Sequence, residues 1–310
     1  MSVIAVAGGT HGIGRAIVDA IVAQGKYKVI VLSRKADKET EELVGARVVA
    51  ADYTNVDELV KVLETNTVHT VISALGAATP PESEKNLILA ADKAASTKRF
   101  IPSVYGVKYR PDQAWFHPAA NKLSAMAALE ETSLEWTIIC NGFFLDYFGL
   151  PKVKTYLTPV TILVDIAAAK AGIPGSGDVP VVFTYSHDVA KYIAEALTLD
   201  KWEKESYVIG AKATLNDLVK VAEDVRGTFK FDVAHDSLDD LRAGKITELP
   251  GQVPGYAFFP KEMLQGMFAV FGIMFEEGQF NFEPKQSLND LFPEIKPVSV
   301  KEMIEIGWKQ

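Results

Sequence analysis

Cysteine is almost absent from this chain: Cys140 is the single one in 310 residues. No internal disulfide can form, and the ligand clusters of a zinc site are missing too. Set in the apolar run Thr137-Ile138-Ile139-Cys140, the thiol reads as a small buried hydrophobe. Positive charge is also in short supply. Lys and Arg number 32 against 40 Asp and Glu, a net charge of -8. That balance argues against a nucleic-acid-binding surface as the main role. No apolar run is long enough to span a bilayer. The most apolar stretch, 263–275, is interrupted by Gln265, Gly266 and Gly272. The start lacks the basic and apolar regions of a secretory signal, so the expectation is a cytoplasmic protein with no membrane partner. Neither an internal repeat nor a low-complexity segment is visible.

Glycine, by contrast, is concentrated where it carries meaning. Val3-Ile4-Ala5-Val6-Ala7 reads as a buried strand, Gly8-Gly9-Thr10-His11-Gly12-Ile13-Gly14 as a turn, and 13–23 as a helix with Ile17, Ile21 and Val22 inward. Glycines there permit a tight turn and a close approach of backbone to a pyrophosphate. The helix N-terminus then offers free N–H groups to the anion. The motif stands in the context it requires, after a strand and before a helix.

Strands then alternate with helices. Strands are expected at 28–35, 46–52, 69–76, 99–103 and 136–140, and helices at 56–64 (capped by Asn55), 84–95 and 119–130. This alternation predicts an α/β fold, a Rossmann-type doubly wound parallel sheet with right-handed crossovers. Ligands in such sheets bind outside the carboxyl ends of the strands. Gly8 to Gly14, Arg34, Asp52, Gly76 and Ser103 all fall there. Where a carboxylate would hold a ribose 2′-hydroxyl, this chain has Ser33, Arg34 and Lys35. Two cations suit a 2′-phosphate, so NADP(H) is the expected cofactor. Asp52 and Tyr53 are expected to flank the adenine, and the small residues Ser73 to Gly76 to let the cofactor lie close to the backbone.

After Leu150 the alternation weakens and prolines become frequent. A turn is expected at 174–178, a strand at 181–184 and an amphipathic helix at 188–197 folded back on the first half. A strand follows at 207–209, then a helix at 215–224 begun by Thr214 or Asn216. The expected division is 1–150 as the dinucleotide-binding domain and 151–310 as a smaller α+β substrate lobe. That lobe is dense in aromatics (Tyr256, Phe258, Phe259, Phe268, Phe271, Phe275, Phe280, Phe282), mostly core, with a few free to line an apolar pocket.

Short-chain dehydrogenases usually carry Tyr-x-x-x-Lys, and no tyrosine here has a lysine four positions on. Another proton donor is needed if the chain is a reductase. Lys122 is the best candidate, on a helix among Ala119, Ala120 and Ala125. Partial burial would lower its pKa into a useful range. A plain solvated helix lysine is the competing reading. Tyr105 and His117 are substrate-side candidates, each equally readable as packing.

Several segments resemble the NmrA-like and isoflavone-reductase-like atypical short-chain dehydrogenases. They are the glycine loop, Val71-Ile72-Ser73-Ala74-Leu75-Gly76, Lys98-Arg99-Phe100-Ile101-Pro102-Ser103, Lys122 with Leu129-Glu130, and Asn141-Gly142-Phe143-Phe144. Weaker echoes lie at Gly175-Ser176-Gly177-Asp178, His187-Asp188-Val189-Ala190 and Leu291-Phe292-Pro293-Glu294. The resemblance implies NADPH as cofactor and a small aromatic or alkenyl substrate, such as a secondary-metabolite intermediate. It also implies Lys122 as the proton-handling residue. Around the cofactor it implies Thr10, Gly12, Ile13, Arg34, Lys35, Ser73, Ala74, Leu75, Gly76, Ser103, Asn141, Gly142, Phe143 and Phe144. Two departures stand out. His11 replaces a frequent glycine, and Val104-Tyr105-Gly106 replaces Glu-Phe-Gly, which removes a carboxylate. A non-catalytic NADP-binding sensor that regulates a partner protein, and a cofactor-assisted rearrangement or cyclisation, are the alternative functions.

Overall fold

The computed structural model describes residues 1–76, 79–227, 230–257 and 259–309. Its centre is β1 (Val3–Ala7), whose last four residues are buried. Val6 lies between Val31 and Ile72 of the two neighbouring strands, both parallel to it. A strand covered on both faces has no use for alternation, which is why Ile4-Ala5-Val6-Ala7 is continuously apolar. Then come α1 (Gly12–Gln24), β2 (Lys28–Ser33), α2 (Lys38–Val44), β3 (Arg47–Ala50), α3 (Val56–Thr65) and β4 (Val68–Ser73). They are followed by α4 (Pro81–Lys93), β5 (Arg99–Ile101), α5 (His117–Glu130) and β6 (Glu135–Trp136). The sheet order is β3-β2-β1-β4-β5-β6, all parallel. It is the doubly wound order, with the switch point between β1 and β4.

Two expectations are corrected, and two helices are added. Val22 is 41% exposed and belongs to the outer face of α1. The helix α2 was not expected; Asp37 begins it by accepting from the Thr40 amide at 2.8 Å, and Gly45 ends it. The strand expected over 136–140 is two strands. β6 pairs with β5, while β7 (Ile138–Cys140) pairs with a later strand, and Thr137 between them bonds Ser206 instead. Finally, the apolar 263–275 stretch forms most of one helix, its glycines included.

The second half adds β8 (Phe143–Phe144), β9 (Val164–Asp165), β10 (Lys170–Pro174), β11 (Val181–Thr184), α6 (Ser186–Ala196) and β12 (Glu205–Tyr207). After these come β13 (Ala211–Ala213), α7 (Leu215–Arg226), β14 (Asp232–Asp236), α8 (Leu238–Arg242), α9 (Lys261–Glu276), α10 (Leu288–Leu291) and α11 (Val300–Trp308). Two three-stranded sheets, β14-β10-β9 and β13-β11-β8, organise this part. α6 turns back onto α1, and Val189, Tyr192 and Ile193 share one buried cluster with Ile17, Ile21 and Val6. Among the described residues no helix is long and apolar enough to cross a membrane. Phe258 lies outside the described residues.

Candidate functional site

The turn from β1 to α1 is built for close approach. Gly8 has φ +75°, and a Cβ there would stand 2.5 Å from the Ala74 carbonyl oxygen. A Cβ on Gly14 would collide with the Gly8 carbonyl oxygen and stand 2.8 Å from the Ala74 side chain. The loop, the helix start and the end of β4 therefore touch through backbone. Thr10 and exposed His11 bond each other (3.0 Å) at the helix entry. The Gly12 amide donates to the Tyr156 carbonyl (3.0 Å). The amides of Ile13 and Gly14 carry no hydrogen bond among the described residues, which leaves them for an anion. This cradle fits a pyrophosphate. At the end of β2, Arg34 and Lys35 are exposed and unpaired among the described residues, two free cations at the carboxyl edge of the sheet.

Lys122 sits at the carboxyl ends of β4 and β5. Its Nζ donates to the Ser103 carbonyl and stands 3.2 Å from the Ser103 hydroxyl. Ser103 Oγ donates to the Leu75 carbonyl at 2.9 Å. A cavity of ≈ 80 Å³ opens here, lined by Leu75, Gly76, Ser103, His117, Asn121 and Lys122 among others. So the structure brings Lys122, His117, Ser103, Leu75 and Gly76 together. Burial lowers the Lys122 pKa from the ordinary lysine value, and the carboxylate of Glu84 opposes that.

Other expected residues stand behind the cleft. Tyr53 is 7% exposed and its hydroxyl donates to the Leu32 carbonyl, so the expectation that its ring flanks an adenine is corrected. Asp52 is exposed and caps Thr54. Ser73 is buried, with its hydroxyl on Glu84. Asn141 is buried and accepts the Gly106 amide at 2.9 Å; Gly142 donates to the Gly106 carbonyl. Phe143 is a core residue among Phe148, Phe183, Phe275 and Phe280, and Phe144 is half-buried. The side chains of Asn141 and Phe143 are thus buried and engaged within the protein. Tyr105 donates to the Ser73 carbonyl (2.8 Å), and burial raises its pKa well above the ordinary phenol value. It is not among the residues that line the Lys122 cavity.

Residues 8–199 match the sequence model of a family described as NAD(P)H-binding. An oxidoreductase of Botryotinia fuckeliana, BOA1, is 35% identical over 95% of both chains. The chain belongs to the NAD(P)H-binding family and is an oxidoreductase. Solved structures share this fold. AtPrR2 with NADP+ and (+)pinoresinol is 22% identical, with 98% of both chains covered and a TM-score of 0.74. An isoflavone reductase is 20% identical over 98% of both chains, with a TM-score of 0.69.

Within this oxidoreductase, one site residue was missed from sequence. Glu84 of α4 is half-buried and lines the same cavity as Lys122. Its carboxylate accepts from the Ser103 amide (2.9 Å) and the Ser73 hydroxyl (2.5 Å). Burial raises its pKa, against which Lys122 and the two donors act. This carboxylate comes from a helix, at a place no spacing rule marks.

Proposed function

We propose that the chain uses NADPH to reduce an apolar small molecule, aromatic or alkenyl, with Lys122 giving or taking the proton. When bound, the cofactor supplies the hydride. The cradle at Gly8, Ile13 and Gly14 suits its pyrophosphate, and Arg34 and Lys35 suit a 2′-phosphate. The observation that carries the reading is the anchoring of Lys122 Nζ by Ser103 at the rim of a cavity on the carboxyl edge of the sheet. Desolvation makes this ammonium release its proton more readily than a surface lysine would, and Glu84 keeps it charged enough to hold one. His117 and Asn121 share the cavity and can orient a polar group of the substrate.

An aromatic cluster that joins the segment before α5 to the second half supports an apolar substrate. Phe116, just before α5, meets Phe271 of α9 edge-on at 6.4 Å, and Phe271 meets Phe143 at 6.3 Å. We assign residues 151–310 as the substrate lobe on this basis, and a biosynthetic intermediate as the substrate's source. The relatives' printed activities on pinoresinol agree with an aromatic substrate.

The test is NADPH consumption against a panel of aryl and alkenyl compounds. Lys122→Ala is expected to lose about 10²- to 10⁴-fold in rate, the scale of general acid–base catalysis, with NADPH binding kept. Full activity would remove Lys122 from the mechanism. Arg34→Ala is expected to weaken NADPH binding and leave NADH binding unchanged; equal losses would overturn the 2′-phosphate assignment.

A further inference from the structure

One amide of the glycine loop is already taken. Ile13 and Gly14 keep theirs without a hydrogen bond among the described residues, whereas the Gly12 amide donates to the Tyr156 carbonyl at 3.0 Å. That carbonyl belongs to the second half of the chain, in a stretch from 149 to 163 that forms neither helix nor strand. The side chain of the same residue holds it in place. The Tyr156 hydroxyl donates to Asp19 at 2.7 Å, and the Arg15 guanidinium lies 5.0 Å over the Tyr156 ring. Arg15 Nε donates to the same carboxylate at 2.8 Å. Gly12, Arg15 and Asp19 follow one another at three and four residues, so these contacts run along one face of α1. Just before Tyr156 the chain is tied to the second half instead. The Thr155 hydroxyl donates to buried Asp146 at 2.6 Å, and the Tyr185 hydroxyl donates to the Lys154 carbonyl.

An amide proton at the start of α1 is what a pyrophosphate oxygen takes in a cradle of this kind. Tyr156 puts another acceptor oxygen on it. Two acceptors that converge on one donor repel each other, so a phosphate oxygen that takes the Gly12 amide displaces the carbonyl. The bonds at Lys154 and Thr155 do not involve α1, so Tyr156 can leave the helix while they stay.

We propose that residues 154–157 form a strap over the cofactor cradle, with Tyr156 as its latch. In the latched position its carbonyl covers the Gly12 amide, and the dinucleotide binds once it has let go. This rests on the assignment of the glycine loop to the pyrophosphate. The observed affinity is then the intrinsic one reduced by the fraction of molecules that are unlatched. Such a device sets how tightly a cofactor binds and not which one, because NADPH and NADH carry the same pyrophosphate.

Tyr156→Phe tests it, since the ring and the carbonyl are kept and only the hydroxyl bond to Asp19 is lost. Binding of NADPH, and of NADH in a parallel series, is followed on the full chain by stopped-flow fluorescence of the cofactor. Both are expected to bind about three- to tenfold more tightly, the worth of one hydrogen bond, with the gain in the association rate and the dissociation rate unchanged. Asp19→Ala removes the same bond from the other side. It is expected to tighten both cofactors too, and Tyr156→Phe to add nothing in that background. A residue that only supports the fold would weaken binding when trimmed, or leave it as it was. Unchanged or weaker binding in Tyr156→Phe would therefore overturn the latch. So would a gain for one cofactor alone, or a gain that persists in full beside Asp19→Ala. These three results leave the cradle assignment standing; a parent chain that binds neither cofactor would overturn that assignment, and the latch with it.

Discussion

Lys122 and Glu84 show what a pair of opposite charges does when buried together. Each alone would be driven toward its neutral form by desolvation; each holds the other's charge in place. Glu84 is a positioning residue here, acting through Ser103 and Lys122. In Glu84→Gln the amide oxygen can still accept the Ser103 amide, but the negative charge is gone. Removing an anion beside an ammonium destabilises the ammonium and lowers its pKa. If Lys122 acts as the acid, the alkaline limb of the pH–rate profile of kcat/KM is therefore expected at lower pH in Glu84→Gln than in the parent, with NADPH affinity kept. An alkaline limb at the same pH would mean that Glu84 does not set the proton on Lys122. Lys122 was singled out in sequence by its setting among alanines after a fifth strand and, above all, by the family resemblance. Glu84 was invisible in sequence. A Glu in the first turn of a helix is an ordinary dipole partner, and only tertiary structure carries it beneath Ser103. Tyr53 misled for the matching reason: its position at a strand end was right, and its side chain went inward to the Leu32 carbonyl.

Elements were legible where local chemistry is strong. Asn55 caps α3 as expected, accepting the Glu58 amide. At α7 the sequence left two caps open, and the structure decides for Thr214, whose hydroxyl accepts the Asp217 amide at 2.9 Å while Asp217 accepts the Thr214 amide. Asn216 instead bonds Ser176 and Asp178, tying α7 to the turn before β11. Thr214→Ala is expected to cost about 1 kcal/mol in chemical denaturation, the usual worth of a cap, and Asn216→Ala to leave helix initiation intact. The reverse order would assign the cap wrongly. α2 escaped because its residues, Lys38-Glu39-Thr40-Glu41-Glu42-Leu43-Val44, present little apolar periodicity; it is fixed by Asp37 and Gly45. The break at Thr137 escaped because one threonine in an otherwise apolar run from Trp136 to Cys140 is ordinary in a strand, and a strand's change of partner leaves no trace in composition.

At the scale of the molecule, the two halves of the chain share a core. Ile4, Val6, Ile17 and Ile21 from the first half lie in one buried cluster with Val189, Tyr192, Ile193 and Val208 from the second. The Tyr156 hydroxyl reaches Asp19 at 2.7 Å, and its carbonyl takes the Gly12 amide, so the second half also bears on the glycine loop. The strand-end geometry explains why the fold was readable. Parallel strands carried by short crossovers put the glycine loop, Arg34, Gly76, Ser103 and Lys122 along one edge, whatever the second half does. That second half, where aromatics from α9 meet Phe116, was not derivable from periodicity.

The most direct test of the account is a crystal structure with NADPH bound, read at one place, the surroundings of Lys122 Nζ. The account predicts the nicotinamide end of the cofactor at the cavity of Leu75, Ser103 and His117, with that nitrogen within hydrogen-bond reach of it. A cofactor lying elsewhere, or a Lys122 ammonium turned to bulk water away from it, would contradict the account.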